Sequence, residues 1–488
     1  MDLNQLSAVR MTEGFAKGEF TPVDVAQACL DRIEATATAL NAFCLIDAPR
    51  TLAVAESAAG RWKRGEVLGP LDGVPVSVKD LIDVEGWPTR YGTHVIGPDV
   101  PAAKADAGEV ARLRAAGMVI LGKTTTTEFG HKGVSDSPLT GATRNPWNRD
   151  MTTGGSSAGA GAAAAAGLGP LHLGNDGGGS VRIPGSFCGV VAIKPGAGVV
   201  LHERASITGP LVSSGPLARE IEDAALMLDV MVAADAPVTA DSAVATAPAG
   251  RKGRMALALK EPASSLKLGI LPTISEAEVA PDVANLVARA ADLLAGECAG
   301  GEAASLDLPD SEATYITILS AGTAMMADDY PPERQALMEP ELQELVRVGR
   351  TITGAAYARA YHRVRYDYMQ RLQALFERFD VLVLPTTPCT AFPLFHAYPG
   401  PQTRGWRADW TPFTFPFNLT GLPACTLPCG LDSAGMPVGV QLVTSWGAET
   451  KLLRAAAALR RHLPALLPPQ FVTPSRGNGN GFLAEGDR

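Results

Sequence analysis

Apolar residues recur along the chain first at helical and then at strand spacing. Residues 5–35 predict two amphipathic helices: "SAVRMTEGFAKGEF" ends near Gly18, and "TPVDVAQACLDRIEAT" opens on a Thr cap with Pro22 at its first helical position. "GVPVSVKDLIDV" (73–84) alternates as a strand, with Val74, Val76 and Val78 on one side and Ser77 and Lys79 on the other. "GEVARLRAAG" predicts a helix, "MVILG" an apolar strand, and "LHLGND" a short strand. Residues 235–265 are poor in large apolar side chains and read as an exposed excursion, after which "LKLGIL" restores a strand. Residues 275–376 read as nearly all helical, through "APDVANLVARAADLLAGE" and "AYARAYHRVRYDYMQRLQALFERF". Strands return with "DVLVLPT" and "PVGVQLV" before a last helix, "ETKLLRAAAALRRHL", and residues 467–488 read as a flexible tail. Strands alternating with helices predict an α/β layer fold.

Length adds that 488 residues would suffice for about three domains, although large α/β enzymes also fold as one unit. With 46% hydrophobic and 19% charged residues there is material for a core and no sign of global disorder. A net charge of −9 without a cluster of lysines and arginines excludes a nucleic-acid footprint and favours a small-molecule substrate. The start, "MDLNQLSAVRMTEGFAKGEF", has no basic stretch followed by an apolar one, so no secretory signal is expected. No apolar run approaches the ~20 residues of a membrane helix. A cytoplasmic monomer or homodimer, with no membrane partner, is the expectation.

Seven scattered cysteines include "CTLPC" (Cys425 and Cys429), which lacks the second pair a zinc site needs, so buried free thiols are expected. The seven histidines show no H-x-H or H-E-x-x-H pairing. No metal and no cofactor are therefore expected. In a cytoplasmic chain the "NLT" sequon at Asn418 carries no meaning.

Two motif matches fail on their context. "GMVILGKT" (117–124) fits a phosphate-binding loop letter for letter, but its Met, Val, Ile and Leu belong in a buried strand. "GSSAG" (155–159) fits a nucleophile elbow centred on Ser157, but the polar "NPWNRDMTT" stands where an elbow needs a buried strand. Ser157 reads instead as a helix cap. A third candidate is a constellation: Lys79 on an apolar strand, Ser156 after two glycines, and Ser180 after three. Taken singly these are a snorkelling lysine, a helix cap and a polar loop residue.

The surrounding text changes that reading. "GVPVSVKDLIDVEGWPTRYGT", "TRNPWN…TTGGSSAG", "GNDGGGSVRIPGSFCGVVAIKP" and "SSGPLAR" resemble, in order and spacing, the core of the amidase signature family. The resemblance runs on through "DVLVLPTTP" and "FTFPFNLTGLPACTLPCGLDSAGMPVGVQLV", and so spans about residues 65 to 460. It implies an α/β fold with a central twisted mixed sheet, helices on both faces and a helical cap. A single domain over 1–466 is expected, with its signature core at about 65–220, a cap at about 275–376 and a closing sheet segment at 379–460.

In that family a Lys–Ser–Ser triad hydrolyses amide bonds, and the matching positions are Lys79, Ser156 and Ser180, the serines lying 24 positions apart. Ser180 is the implied nucleophile. Lys79 acts as base only if neutral, which burial in an apolar strand favours. Ser156 relays the proton, since a hydroxyl donates and accepts at once. The resemblance also implies a cis peptide at Gly155–Ser156. The backbone N–H groups of Gly177, Gly178, Gly179 and Ser180 are the expected oxyanion donors, glycine allowing the sharp turn they need. Asp176 and Arg182 flank that loop as structural tethers or as ordinary surface charges.

Hydrolysis of an amide, anilide, carbamate or urethane, extending to some esters, is the expected activity. Two positions bear on a rival. The glutamine-using component of tRNA-dependent amidotransferases usually has Thr where Gly177 stands and Gln where Ile183 stands, so both departures favour a free-standing hydrolase. A non-catalytic binding relative is the other alternative, disfavoured because all three triad positions are filled. Tyr315, Met325, Met326, Tyr330 and Tyr361 are candidates for an apolar substrate pocket or for helical core. The loops "HKGVSDSPLTGAT" and "PCTAFPLFHAYPGPQTRGW" are candidates for its mouth.

Overall fold

A computed structural model describes residues 2–200, 206–232, 253–402 and 407–468. The first two helices start and stop where local chemistry dictates. Ala8–Lys17 ends at Gly18, whose φ of 68° is left-handed, and Pro22–Leu40 opens on a reciprocal capping box between Thr21 and Asp24. The second helix runs past the predicted residue 35 and ends at Asn41.

The strands are β1 (Phe43–Ile46), β2 (Pro75–Lys79), β3 (Val119–Thr124), β4 (Asp136–Ser137), β5 (Gly141–Ala142), β6 (Leu171–Asp176) and β7 (Val191–Lys194). They continue with β8 (Ser213–Ala218), β9 (Leu268–Ile270), β10 (Gly301–Ala303), β11 (Val381–Pro385), β12 (Ala424–Leu431) and β13 (Pro437–Thr444). β4 and β5 pair with each other, and the remaining eleven form one mixed sheet in the order β1-β3-β2-β6-β8-β7-β12-β13-β11-β9-β10. The α/β expectation, a central mixed sheet flanked by helices, describes this architecture.

Both faces of the sheet are covered. Along β11, Val381 and Val383 enter one apolar cluster while Leu382 and Leu384 enter the other, the period-two alternation of a strand lying between two layers. The first cluster holds Val76, Val78 and the helix Pro281–Glu297; the second holds the helices Ser311–Ala327 and Pro340–Gly349. All five residues of β2 are buried, so its alternation distinguishes two interiors rather than core from water. The strand stops at Lys79, short of residue 84, because the chain turns there, the Ile82 N–H donating to the Lys79 carbonyl at 3.0 Å.

Other expectations need correction. Residues 275–376 are not helical throughout, since β10 pairs in parallel with β9 at the sheet edge. Of the excursion 235–265, the part up to residue 252 lies outside the described residues. Its later part is not exposed throughout, for Met255 and Ala258 on the helix Arg254–Ala258 are buried. The Asp229 carboxylate holds that helix by accepting from the Met255 and Ala256 N–H groups, each at 2.9 Å. The tail beyond residue 468 and His202 also lie outside the described residues. All seven cysteines are free, but only Cys29, Cys188, Cys425 and Cys429 are buried, and Cys44 is exposed. Among the described residues no helix is long and apolar enough to cross a membrane.

Candidate active site

β2 lies between β3 and β6, parallel to both, so Lys79 and Asp176 end neighbouring strands at the same edge of the sheet. In open α/β sheets that carboxyl edge is where ligands bind. Lys79 is fully buried there. Its Nζ lies 2.7 Å from Ser156 Oγ, 2.7 Å from Asn175 Oδ1 and 3.4 Å from the Asn175 carbonyl oxygen. Burial pushes the Lys79 pKa well below its ordinary value, and the opposite charge of Asp176 offsets this only in part.

Ser156 follows a cis peptide bond to Gly155. No side chain fits at Gly155, where a Cβ would lie 1.8 Å from the Val134 carbonyl oxygen. The Ala-rich helix Ala158–Ala166 begins directly after and is buried along its whole length. Ser157 occupies its N-cap position but does not cap it, because its hydroxyl donates to the Asn175 carbonyl at 3.2 Å. The other motif match is likewise structural: Lys123 sits in β3, paired with Asp80 at 2.8 Å and bonded to Thr89 at 2.7 Å.

Ser180 closes the loop that leaves β6. Its carbonyl accepts from the Ser157 N–H at 3.1 Å, while its hydroxyl has no hydrogen-bond partner among the described residues. Asp176 and Arg182 brace this loop, and neither is exposed. They pair at 2.9 and 3.0 Å, and Asn418 Nδ2 donates to the same carboxylate at 2.9 Å. Arg182 also donates to Gln441 Oε1 and to the Thr414 carbonyl, each at 2.9 Å. Burial alone would raise the Asp176 pKa, but the Arg182 charge, bonds from Arg182 and Asn418, and nearby Lys194 hold it well below the usual carboxylate range.

The same carboxylate takes one of the expected oxyanion donors. The Gly179 N–H donates to Asp176 Oδ1 at 2.7 Å and is not free for a substrate. Gly179 has φ near 130°, and a Cβ there would meet Thr414 Oγ1 at 2.5 Å, so the loop can take this path only with glycine. The N–H groups of Gly177, Gly178 and Ser180 have no hydrogen-bond acceptor among the described residues.

Ser156, Asn175, Gly177, Gly178 and Ser180 border a narrow cavity of about 50 Å³. Phe129, Ile183, Ile207, Tyr315 and Trp410 form much of its apolar wall. Of the pocket candidates Tyr315 alone is in this lining. Met325 is 53% exposed, and Met326, Tyr330 and Tyr361 pack on the second apolar cluster, to which the cap helices contribute. Tyr330 stands behind the wall, its ring 6.0 Å from that of Phe129. The first candidate loop supplies His131, Lys132 and Gly133. Arg407 and Trp410 follow the second, of which residues 403–406 lie outside the described residues.

The charges at this wall are already matched. Lys132 pairs with Asp136 at 2.8 Å and Glu339 at 2.6 Å, and Arg407 bonds to Asp409 at 2.9 Å. Burial, helped by the Lys132 charge, pushes His131 down to about 3, so it is neutral. Among the described residues no carboxylate lines the cavity. Sequence reasoning misses Asn175, Thr414, Asn418 and Gln441. Only the adjacent "ND" before the three glycines signals Asn175; the other three lie inside the quoted stretch 413–443, where nothing ties them to Asp176 and Arg182.

The family model described as Amidase matches residues 24–453. An acylamidase of Rhodococcus erythropolis is 34% identical over 470 residues, covering 93% of this chain and 95% of the relative. One component of the glutamyl-tRNA(Gln) amidotransferase of Symbiobacterium thermophilum is 33% identical over 485 residues, covering 93% and 96%. Among solved structures, 6-aminohexanoate cyclic dimer hydrolase complexed with substrate superposes with a TM-score of 0.85 at 29% identity, covering 96% of this chain and all of that one.

Proposed function

The chain belongs to the amidase signature family and hydrolyses amide C–N bonds, and from that premise we propose that it works through an acyl-enzyme on Ser180, with Ser156 as proton relay and neutral Lys79 as general base. The observation that carries this reading is the buried Lys79 Nζ, 2.7 Å from Ser156 Oγ, beside the cavity that Ser180 lines. A neutral amine has two N–H groups and one lone pair. Asn175 offers two acceptors for the N–H groups, which leaves the lone pair for the Ser156 hydroxyl proton. Ser180 loses its proton to Ser156 as it attacks the carbonyl, and the relay reversed protonates the leaving nitrogen. The N–H groups of Gly177, Gly178 and Ser180 receive the oxyanion. Asp176 and Arg182 hold the loop and touch no substrate.

An apolar, aromatic wall without unmatched charge favours a neutral substrate, and we assign aryl amides (anilides) and aryl carbamates to it. The acylamidase relative supports an amide substrate in general. The second reading, glutamine hydrolysis within a tRNA-dependent amidotransferase, draws on relatives 33% identical. Gly177 and Ile183 weigh against it, as does the lack, among the described residues, of a lining carboxylate for an α-ammonium.

The test is covalent labelling by a fluorophosphonate probe, with p-nitroanilides, simple amides, aryl carbamates and glutamine assayed side by side. Wild type is expected to be labelled at Ser180 and Ser180→Ala not at all. Labelling elsewhere, or a Ser180→Ala enzyme with wild-type hydrolysis, overturns the mechanism. Turnover confined to glutamine and dependent on a partner protein favours the second reading.

A further inference from the structure

We propose that the Tyr315 hydroxyl, reaching down from the cap helix Ser311–Ala327, donates a hydrogen bond to the scissile carbonyl oxygen as negative charge develops on it. The inference rests on the reading of Ser180 as nucleophile and adds a side-chain donor to the loop's backbone ones. Three observations carry it. The first is position. A Cβ built on Gly178 would fall 2.1 Å from Tyr315 Oη, so the phenol leans directly on the loop that precedes Ser180. Its ring is fixed by stacking on Phe415, with centroids 5.1 Å apart and planes 18° from parallel.

The second is an unanswered polar atom. Tyr315 is only 7% exposed, yet its hydroxyl has no hydrogen-bond partner among the described residues and borders the cavity that Ser156 and Ser180 share. Buried phenols ordinarily find a partner. Here the phenol lines the cavity that Ser180 also lines. The third is the donor count: Asp176 has taken the Gly179 N–H, and the cap adds one side-chain donor to the three backbone N–H groups that remain. Burial and the Asp176 charge both push the phenol pKa up, so the hydroxyl keeps its proton across the working range.

In the step itself the Ser180 Oγ–C bond forms while the carbonyl π pair moves onto oxygen. The Ser180 proton passes to Ser156, and the Ser156 proton passes to Lys79. Tyr315 donates to the new oxyanion and remains protonated. Collapse restores the C=O bond and expels the nitrogen, which takes a proton back through the same relay.

Tyr315→Phe keeps the ring and its stacking and removes only the donor. With p-nitroacetanilide as substrate, kcat is expected to fall about 10²-fold with KM little changed, and fluorophosphonate labelling to slow at least tenfold, at an unchanged melting temperature. Wild-type kcat and labelling rate in Tyr315→Phe overturn the inference while leaving the Ser180 mechanism standing. A rise in KM alone also overturns it, because that places the contact in ground-state binding. If wild type itself neither turns over nor labels, the reading of the site falls and this inference with it. Should Tyr315→Phe not fold, 3-fluorotyrosine at the same position gives a stronger donor of near-identical shape, and an unchanged kcat there overturns the inference as well.

Discussion

Asn175 Oδ1 lies 2.7 Å from Lys79 Nζ, and the main-chain oxygen of the same residue lies 3.4 Å from it, so one residue supplies two of the three groups around the amine. Both are neutral acceptors. They orient the amine without offering a charge to stabilise the ammonium form, the condition a buried lysine needs to act as a base near neutral pH.

Asn175→Asp tests this directly. Because burial depresses the Lys79 pKa, the neutral base is present above that lowered value and kcat/KM rises with pH through it. A carboxylate beside the amine favours the ammonium form and raises the pKa by about 1–3 units. The acid limb of the pH–rate profile is expected to move to higher pH by that amount, costing about tenfold in rate per unit below the new limb. An acid limb that stays in place would show that Lys79 protonation does not gate the reaction.

Lys79, Ser156 and Ser180 are proposed to act as one unit, and units are not additive. Lys79→Met and Ser156→Ala are each expected to lower kcat by about 10²–10⁴. The double variant is expected to be no slower than the worse single one, in single-turnover kinetics with p-nitroacetanilide. Multiplying losses would mean that the two residues serve separate steps.

How far the site is legible from sequence depends on how local its signals are. Lys79, Ser156 and Ser180 stand in ordered motifs, and the strand holding Lys79 declares itself by alternation. Thr414, Asn418 and Gln441 converge on the Asp176–Arg182 brace from more than 230 positions away, Gln441 on β13 and the other two at the short helix Phe415–Leu419, so only the tertiary fold brings them there. β8 is hidden for a different reason. "SSGPLA" has none of the β-branched or aromatic residues that favour strands, and Gly215 is in it because a Cβ would lie 1.9 Å from the Ile193 carbonyl oxygen. β12, "ACTLPCGL", carries Pro428 at a register shift, and Thr426 is its one β-branched residue. In both strands the packing of neighbours, not intrinsic preference, decides the conformation.

The brace itself makes a stability prediction. Asp176→Asn leaves the fully buried Arg182 without its counter-ion, which costs about 3–5 kcal/mol, read as a lower melting temperature. Asp176 titrates below its unfolded value, so its contribution is present above about pH 3.9 and is lost as pH falls toward the folded value. Wild type is therefore expected to lose stability through that acid window, and Asp176→Asn to show a flatter dependence there. Parallel curves would place the acid sensitivity elsewhere.

Charge matching at the cavity wall leads to a prediction about substrates. Glutamine and butanamide share a primary amide on a short chain and differ in the α-ammonium and α-carboxylate. On entering the cavity, the carboxylate of glutamine meets Lys132, already held by Asp136 and Glu339, and Arg407, already held by Asp409. Its ammonium meets no lining carboxylate among the described residues, and His131 is neutral. Desolvating a charge without a partner costs about 3–5 kcal/mol. With each 1.4 kcal/mol worth about tenfold, kcat/KM for butanamide is expected to exceed that for glutamine by about 10²–10³. The comparison is made on purified enzyme by ammonia release, at matched substrate concentrations well below KM. Equal rates on the two amides would mean that a zwitterion is accommodated, which the matched wall does not allow.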